Sequence, residues 1–156
     1  MTDDHTPLVG TGRFAEAGEQ AQARREMLHS AIGELTAALD ASDADVDAWR
    51  RTVAQAIAQT RATIAQHVRD AEAPDGLLAQ VIDEEPAFGF RVEAMKDEHQ
   101  KLLERSAALV ERSQESLAPQ DLRDQSKQLI ELIDRHRHRS ADLLLDTYDL
   151  DLSAAD

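Results

Sequence analysis

Four long stretches of the chain repeat apolar residues every three to four positions, and short breaks separate these stretches. This spacing places the apolar residues on one face of an α-helix. The breaks fall at residues 40–43, Pro74-Asp75-Gly76, Glu85-Pro86 and Pro119. Polar turns, glycine and proline of this kind end helices or begin them. A chain built in this way buries its apolar surface by packing helix against helix.

The periodicity predicts helices over residues 13–40, 44–73, 87–116 and 120–146, with a short helical piece at 77–84. Ala, Leu, Glu, Gln and Arg dominate the composition, and these residues favour helices. Few segments alternate with period two, so we expect no strands. Four helices of about 25 residues with short connections favour an all-α, up-down-up-down four-helix bundle.

The length of 156 residues fits one domain with a substantial core. We predict a bundle domain over residues 13–148, a flexible N-terminal tail over 1–12 and an acidic C-terminal tail over 149–156. The absence of Cys excludes disulfides, thiolate metal sites and thiol catalysis. No apolar run is as long as a membrane span, and the start MTDDHTPLVG lacks a signal-peptide core. We therefore expect a cytoplasmic protein.

The chain is strongly acidic, with 31 acidic and 17 basic residues and a formal net charge of −14. Such a surface repels phosphate backbones and anionic lipids, so neither nucleic acid nor membrane is expected as a partner. The sequence has no glycine-rich phosphate loop, and no nucleophile elbow surrounds Ser140. We therefore expect that the protein is not an enzyme.

One histidine in each predicted long helix is the main candidate for chemistry: His29, His67, His99 and His136. A helix turns about 100° per residue, and by this measure the last three continue the apolar stripes and point inward. His29 competes with Leu28 for the inward position, although a wide stripe holds both. Burying several imidazoles without partners is costly. The pattern therefore predicts either a metal ion or a set of buried hydrogen bonds.

The order and spacing of these histidines resemble those of hemerythrin-like, HHE-type cation-binding domains, over nearly the whole chain. The resemblance depends on MLHSAIGELTAAL around His29, HVRDAEAPDGLLAQVIDEEP from His67, MKDEHQKLL around His99 and LIELIDRHRHRSADLLLDTYDLD around His136. It implies a four-helix bundle that holds two oxygen-bridged, non-haem irons with these four histidines as ligands. Members of the family store, carry or sense dioxygen, or handle nitric oxide or iron. The resemblance thus predicts iron binding linked to dioxygen, nitric oxide or redox sensing.

The carboxylates of this chain depart from the family pattern, which implies a His-x-x-x-Glu arrangement on the second and fourth helices. Ala71 stands four residues after His67, and Ser140 stands four residues after His136. Glu72 lies one residue later, about 140° around the helix from His67, and reaches the site if the helix unwinds or ends there. We take Glu72 as the best carboxylate candidate, with Asp70 as the second.

Three outcomes remain open at this stage: a two-iron centre, a site for a single metal ion, and a bundle without metal. In the third, the histidines hydrogen-bond among themselves and with Thr60, Ser106 or Ser140. The bundle then serves as an interaction or structural module. The missing carboxylates favour this third outcome, and the four histidines favour the first two.

Two further motifs accompany the histidines. Glu26-x-x-His29 matches the ligand unit of ferritin-like carboxylate proteins, but that fold needs the unit twice and it occurs once. The run Arg135-His-Arg-His-Arg139 is basic within an acidic chain. His138 lies about 200° around the helix from His136, so it is expected to face solvent. The run is either a solvated face or a local patch for an anion or a partner.

Overall fold

Five α-helices and no strands make up residues 11–154, the part of the chain that this computed structural model describes. They are α1 (Thr11–Asp40), α2 (Val46–Glu72), α3 (Leu77–Glu84), α4 (Gly89–Ser113) and α5 (Pro119–Ala154), with a single 3₁₀ turn at Pro86–Phe88. The all-α prediction is confirmed, including the short piece at 77–84. Most of the predicted N-terminal tail, residues 1–10, lies outside the described residues.

Local capping explains where α2 and the 3₁₀ turn begin. The Asp45 side chain accepts a hydrogen bond of 3.1 Å from the Ala48 amide, so α2 starts directly after Asp45. Glu85 caps the 3₁₀ turn in the same way through the Ala87 amide at 3.1 Å, and Pro86 takes the first position of the turn. These two caps separate α1 from α2 and α3 from α4.

The last helix is longer than predicted. It continues to Ala154 rather than ending at residue 146, so most of the segment 149–156 is helical. Thr147 is buried, so this turn packs on the bundle, and its hydroxyl donates to the Leu143 carbonyl of the same helix at 2.7 Å. No proline or glycine follows to end the helix.

The four long helices pack in an antiparallel arrangement, each against the next. Arg91 at the start of α4 contacts Asp146 near the end of α5 at 2.9 Å, and Arg112 at the end of α4 donates to Gln125 near the start of α5 at 2.7 Å. Arg123 contacts Asp43 in the α1–α2 connection at 2.9 Å, so that connection and the α4–α5 connection lie at the same end of the bundle. The short α3 lies at the opposite end. Among the described helices, none is long and apolar enough to cross a membrane.

The apolar core is divided into two clusters by polar residues. The larger cluster fills the end with the two loops, and its main members are Leu28, Leu35, Val53, Ile57, Ile64, Leu102, Leu129 and Ile133. The smaller cluster lies under α3 and is built from Phe14, Ala17, Ala21, Leu77, Leu78, Val81, Val92, Met95 and Leu143. Between them is a buried polar layer, called here the histidine layer: Arg24, His67, His99 and His136.

Gly76 allows α3 to fold back tightly on the end of α2. A Cβ atom at this position would lie 2.7 Å from the carbonyl oxygen of Ala71 and closer still to that of Asp70. We expect Gly76→Ala to lower the free energy of unfolding by about 1–3 kcal/mol, because the backbone must shift to relieve the overlap. Urea denaturation at neutral pH measures the change.

Gly33 offers a matched control, since it lies mid-helix in α1 and a Cβ atom there would meet nothing within 4 Å. Gly33→Ala is expected to raise the free energy of unfolding by up to about 1 kcal/mol, because alanine favours the helix. Equal effects of the two substitutions would show that α3 does not pack against the end of α2 as described.

Candidate metal centre

Three imidazole rings meet at the middle of the bundle, one each from α2, α4 and α5. Nε2 of His67 lies 3.1 Å from Nε2 of His136, and the three ring centroids are 4.8 to 5.3 Å apart. One nitrogen from each of His67, His99 and His136 lies within 4.8 Å of the other two. The three residues are 5%, 1% and 1% exposed. This is a buried cluster of three nitrogen donors.

Helical phase places the rings there, as the sequence predicts. His67 lies three residues after buried Ile64 on α2. His99 lies between buried Met95 and Leu102 on α4. His136 lies three residues after buried Ile133 on α5. Since residues three and four apart share one face of a helix, each ring continues the apolar stripe into the core.

Two carboxylates hold the rings from outside the cluster. Glu72 Oε2 lies 3.1 Å from Nδ1 of His99, and Glu98 Oε1 lies 3.2 Å from Nδ1 of His136. A neutral imidazole that donates from Nδ1 keeps its lone pair on Nε2. Both rings therefore present Nε2 as the nitrogen free to bind a metal. Carboxylates in this outer position fix ring orientation and tautomer in metalloproteins.

The two carboxyl groups differ in their electrostatic environment. Burial raises the pKa of Glu98, but hydrogen bonds from His136 and from Arg139, which lies 3.1 Å away, outweigh it and lower the pKa overall. Burial raises the pKa of Glu72, and Lys96 opposes the shift only in part. Glu98 is therefore the more firmly ionised partner of the cluster.

The hydrogen-bond partners assign the protons within the cluster. His136 donates from Nδ1 to Glu98, so its Nε2 accepts, and the facing Nε2 of His67 must donate. In this tautomer Nδ1 of His67 carries a lone pair, and that atom is buried without a partner. A metal ion bound at Nε2 of His67 would require the proton to leave that atom.

His67 and His99 are neutral at physiological pH. Burial lowers the pKa of His67 to about 2, with smaller contributions from the neighbouring rings of His136 and His99 and from the cationic Arg24 and Arg25. Burial and His136 lower the pKa of His99 to about 3, although Glu98 opposes the shift. Neutral imidazole is the form that binds metal ions.

The first helix contributes Arg24 to the histidine layer, not His29. Arg24 is 8% exposed and its Nε atom has no partner. Burial lowers the pKa of Arg24, and Asp70 partly offsets this. His29 is exposed because Leu28, 1% exposed, takes the inward position. The structure thus brings together three of the four predicted histidines and leaves His29 on the outer surface.

The predicted carboxylate positions also have clear locations. Ala71 and Ser140, four residues after His67 and His136, are buried one turn away from the rings, so the expected positions face inward without a carboxylate. Glu72 is the last residue of α2 and reaches His99 from there. Asp70 accepts a hydrogen bond from Gln66 at 2.8 Å.

Two residues of the site were missed by sequence reasoning, and both left a signal. Arg24 is a charged residue in phase with Ala21, Leu28 and Leu35 on the apolar stripe of α1. Glu98 directly precedes His99, and its partner Arg139 lies three residues after His136. An adjacent Glu-His pair points its two side chains about 100° apart, so one faces the core while the other faces the neighbouring helix.

The donor set fits one metal ion better than two. Two nitrogens bound to one tetrahedral ion at about 2.0–2.1 Å lie roughly 3.3 Å apart. The separation of 3.1 Å between His67 and His136 matches this value, whereas the widest donor separation, 4.8 Å, must shorten on binding. A two-iron centre needs carboxylates between the metals. Glu72 and Glu98, the carboxylates that contact the rings, lie at Nδ1 atoms instead.

Comparisons of the chain with models of protein families, with curated proteins and with solved structures find no match. The resemblance to hemerythrin-like domains therefore stays a prediction. Function has to be inferred from the chemistry of the site.

Proposed function

We propose that this protein is a metal-binding bundle that holds one divalent transition-metal ion through His67, His99 and His136. The observation that supports this most is the pairing of buried rings with carboxylates. Two of the three imidazoles donate from Nδ1 to a glutamate and direct the other nitrogen inward. Metal-ligating histidines almost always donate their other ring N–H to a carboxylate, carbonyl or water in this way, and here two of three rings that meet around one point do so.

Three imidazole ligands suit zinc, copper, iron and nickel. We propose iron as the physiological ion, in line with the hemerythrin-like resemblance. Three protein ligands leave coordination positions open. An open position on iron suits a small ligand such as dioxygen or nitric oxide, so we propose sensing of one of these gases, or of redox state, as the role of the bound metal.

A metal-free interaction module is the second candidate, and Arg24 favours it. A guanidinium beside the rings repels a divalent cation, and the cluster already has an internal hydrogen bond between His67 and His136. Two of the three hydroxyls expected to join that network donate within their own helices: Thr60 to Ala56 at 2.9 Å and Ser106 to Leu103 at 3.1 Å.

Titration of chelator-treated protein with Co²⁺ at neutral pH separates the two candidates. We expect one equivalent of Co²⁺ to bind and to produce visible absorption typical of low coordination number. The intensity of this absorption reports the coordination number. Fe²⁺ added in excess and without oxygen is expected to compete with Co²⁺ for the same site, although it binds nitrogen donors more weakly than Co²⁺ does. The double variant H29A/H138A is the matched control, because it removes the two histidines that are exposed in the described part of the chain and leaves the cluster intact. If the wild-type protein binds no Co²⁺, or if the control variant loses Co²⁺ binding, the proposed site is refuted. The metal-free interaction module is then the remaining candidate.

A further inference from the structure

An open groove of about 310 Å³ lies between α1 and α5, on the outer side of the histidine layer. Its polar lining consists of Gln22, Arg25, Glu26 and His29 from α1 and Arg137 and His138 from α5. The volume is near the lower limit of known ligand pockets, about 300 Å³, so the groove fits a small ligand. It includes His29, which the metal centre does not use.

Arg25 is the unusual member of this groove. It is 8% exposed, and its Nη2 atom donates to Gln22, while Nη1 is buried without a partner. No carboxylate of the described residues lies within ion-pair distance of Arg25. A buried guanidinium without a carboxylate is unfavourable unless some other anion approaches it.

The charges around Arg25 make its burial without a carboxylate still less favourable. Burial lowers the pKa of Arg25, and the positive charges of Arg24 and Arg137 lower it further, against a smaller opposing effect of Glu26. Arg137 uses Nη1 to bind Asp134 at 2.9 Å, but its Nε is also buried without a partner. Two guanidinium N–H donors of one small region thus lack acceptors.

Two histidines lie at the rim of the same region. His138 donates from Nδ1 to the Asp134 carbonyl at 2.8 Å, which fixes the ring and, in the neutral imidazole, leaves a lone pair on Nε2. His29 lines the groove from α1. This groove therefore gathers basic and neutral nitrogen groups from two helices, in a chain whose formal net charge is −14.

We propose that this groove binds a small phosphate-type oxyanion through Arg25 and Arg137, with His29 and His138 at its rim. Guanidinium groups bind phosphate oxygens with paired, charge-assisted hydrogen bonds. Donors that come from two helices and several directions suit a tetrahedral anion better than a planar carboxylate. Glu26 shares the groove and repels an anion, so the affinity is expected in the millimolar range. The site does not depend on the metal centre.

The test is a titration of chelator-treated, ¹⁵N-labelled protein with inorganic phosphate at constant ionic strength and neutral pH, followed by amide chemical shifts. We expect saturable shifts confined to residues around the groove. Arg25→Gln and Arg137→Gln are each expected to weaken binding at least tenfold. Arg51→Gln is the matched control, since it removes the same charge from an exposed position on α2 and should leave the affinity unchanged.

Three results would overturn the proposal. These are shifts that never saturate in the wild-type protein, equal weakening in the Arg51 control, and unchanged binding in Arg137→Gln. The last variant decides the matter if Arg25→Gln does not fold, because Arg137 is only partly buried. Acetate, titrated in parallel, is expected to bind at least tenfold more weakly than phosphate, and equal affinity would refute the tetrahedral class of ligand.

Discussion

Lowering the pH from about 8 to about 5 is expected to reduce the free energy of unfolding of the metal-free protein by about 4 kcal/mol. The effect comes from two buried histidines. The pKa of His67 is lowered to about 2 and that of His99 to about 3, from an ordinary value of 6.5. Each ring is therefore neutral in the folded protein throughout this range, whereas in the unfolded chain it takes up a proton below pH 6.5.

The sign follows from where the protons bind. Because the unfolded state binds more protons than the folded state below pH 6.5, acid favours unfolding, by about 1.4 kcal/mol per pH unit for each histidine. Glu72 opposes this trend at the acid end, since burial raises its pKa. Domains are stable by only about 5–15 kcal/mol, so a loss of this size is a large part of the total.

Urea denaturation at a series of pH values measures the acid effect. The variant His67→Ala is expected to show about half the wild-type slope between pH 6.5 and pH 5 on the same linkage argument, whatever its stability at neutral pH. His29→Ala, which removes an exposed ring, is the matched control and should keep the full slope. A wild-type stability that does not change over this range would mean that the rings are solvated or charged in the folded protein.

The largest effect on metal binding is expected from His99→Ala, which should weaken Co²⁺ binding by at least about 100-fold, or about 2.8 kcal/mol. The substitution removes one of three nitrogen donors together with the ring that Glu72 orients. His138→Ala makes the same chemical change at an exposed position and is expected to leave the affinity unchanged. Circular dichroism of each variant shows whether the helices remain folded.

A milder substitution tests the contribution of Glu98, which holds His136 from outside the cluster. Glu98→Gln should weaken Co²⁺ binding by about 10- to 100-fold, because the amide no longer offers His136 and Arg139 a charged acceptor. Glu104→Gln, an exposed change on the same helix, is the control. If Co²⁺ binds equally well to His99→Ala and to Glu98→Gln as to the wild-type protein, the ion occupies some other place on the molecule.

The helices and three of the histidines were predictable because a single physical rule governs both. Residues three or four apart share a helix face, so the stripes that located the helices also placed His67, His99 and His136 inside. Proline and glycine then marked the ends of α2 and α3. The end of α5 was not predicted, because no proline or glycine after residue 146 marks it.

The remaining site residues depend on tertiary packing that periodicity does not describe. His29 and Leu28 are adjacent, and which of them points inward depends on the rotation of α1 against its neighbours. The same rotation brings Arg24 into the histidine layer. Glu98 lies between two helices, and its contact with His136 depends on the spacing of α4 and α5. Neither the rotation of α1 nor the spacing of α4 and α5 changes the hydrophobic pattern of a single helix.

Polar groups in the middle of an apolar core also fix the register of the helices along their axes. A slip of one turn between α4 and α5 would separate His136 from Glu98 and place an imidazole among aliphatic side chains without a partner. Leucine, isoleucine and alanine alone tolerate repacking of this kind. The three imidazoles therefore select one alignment of α2, α4 and α5 from several that the apolar clusters would accept, whether or not a metal is bound.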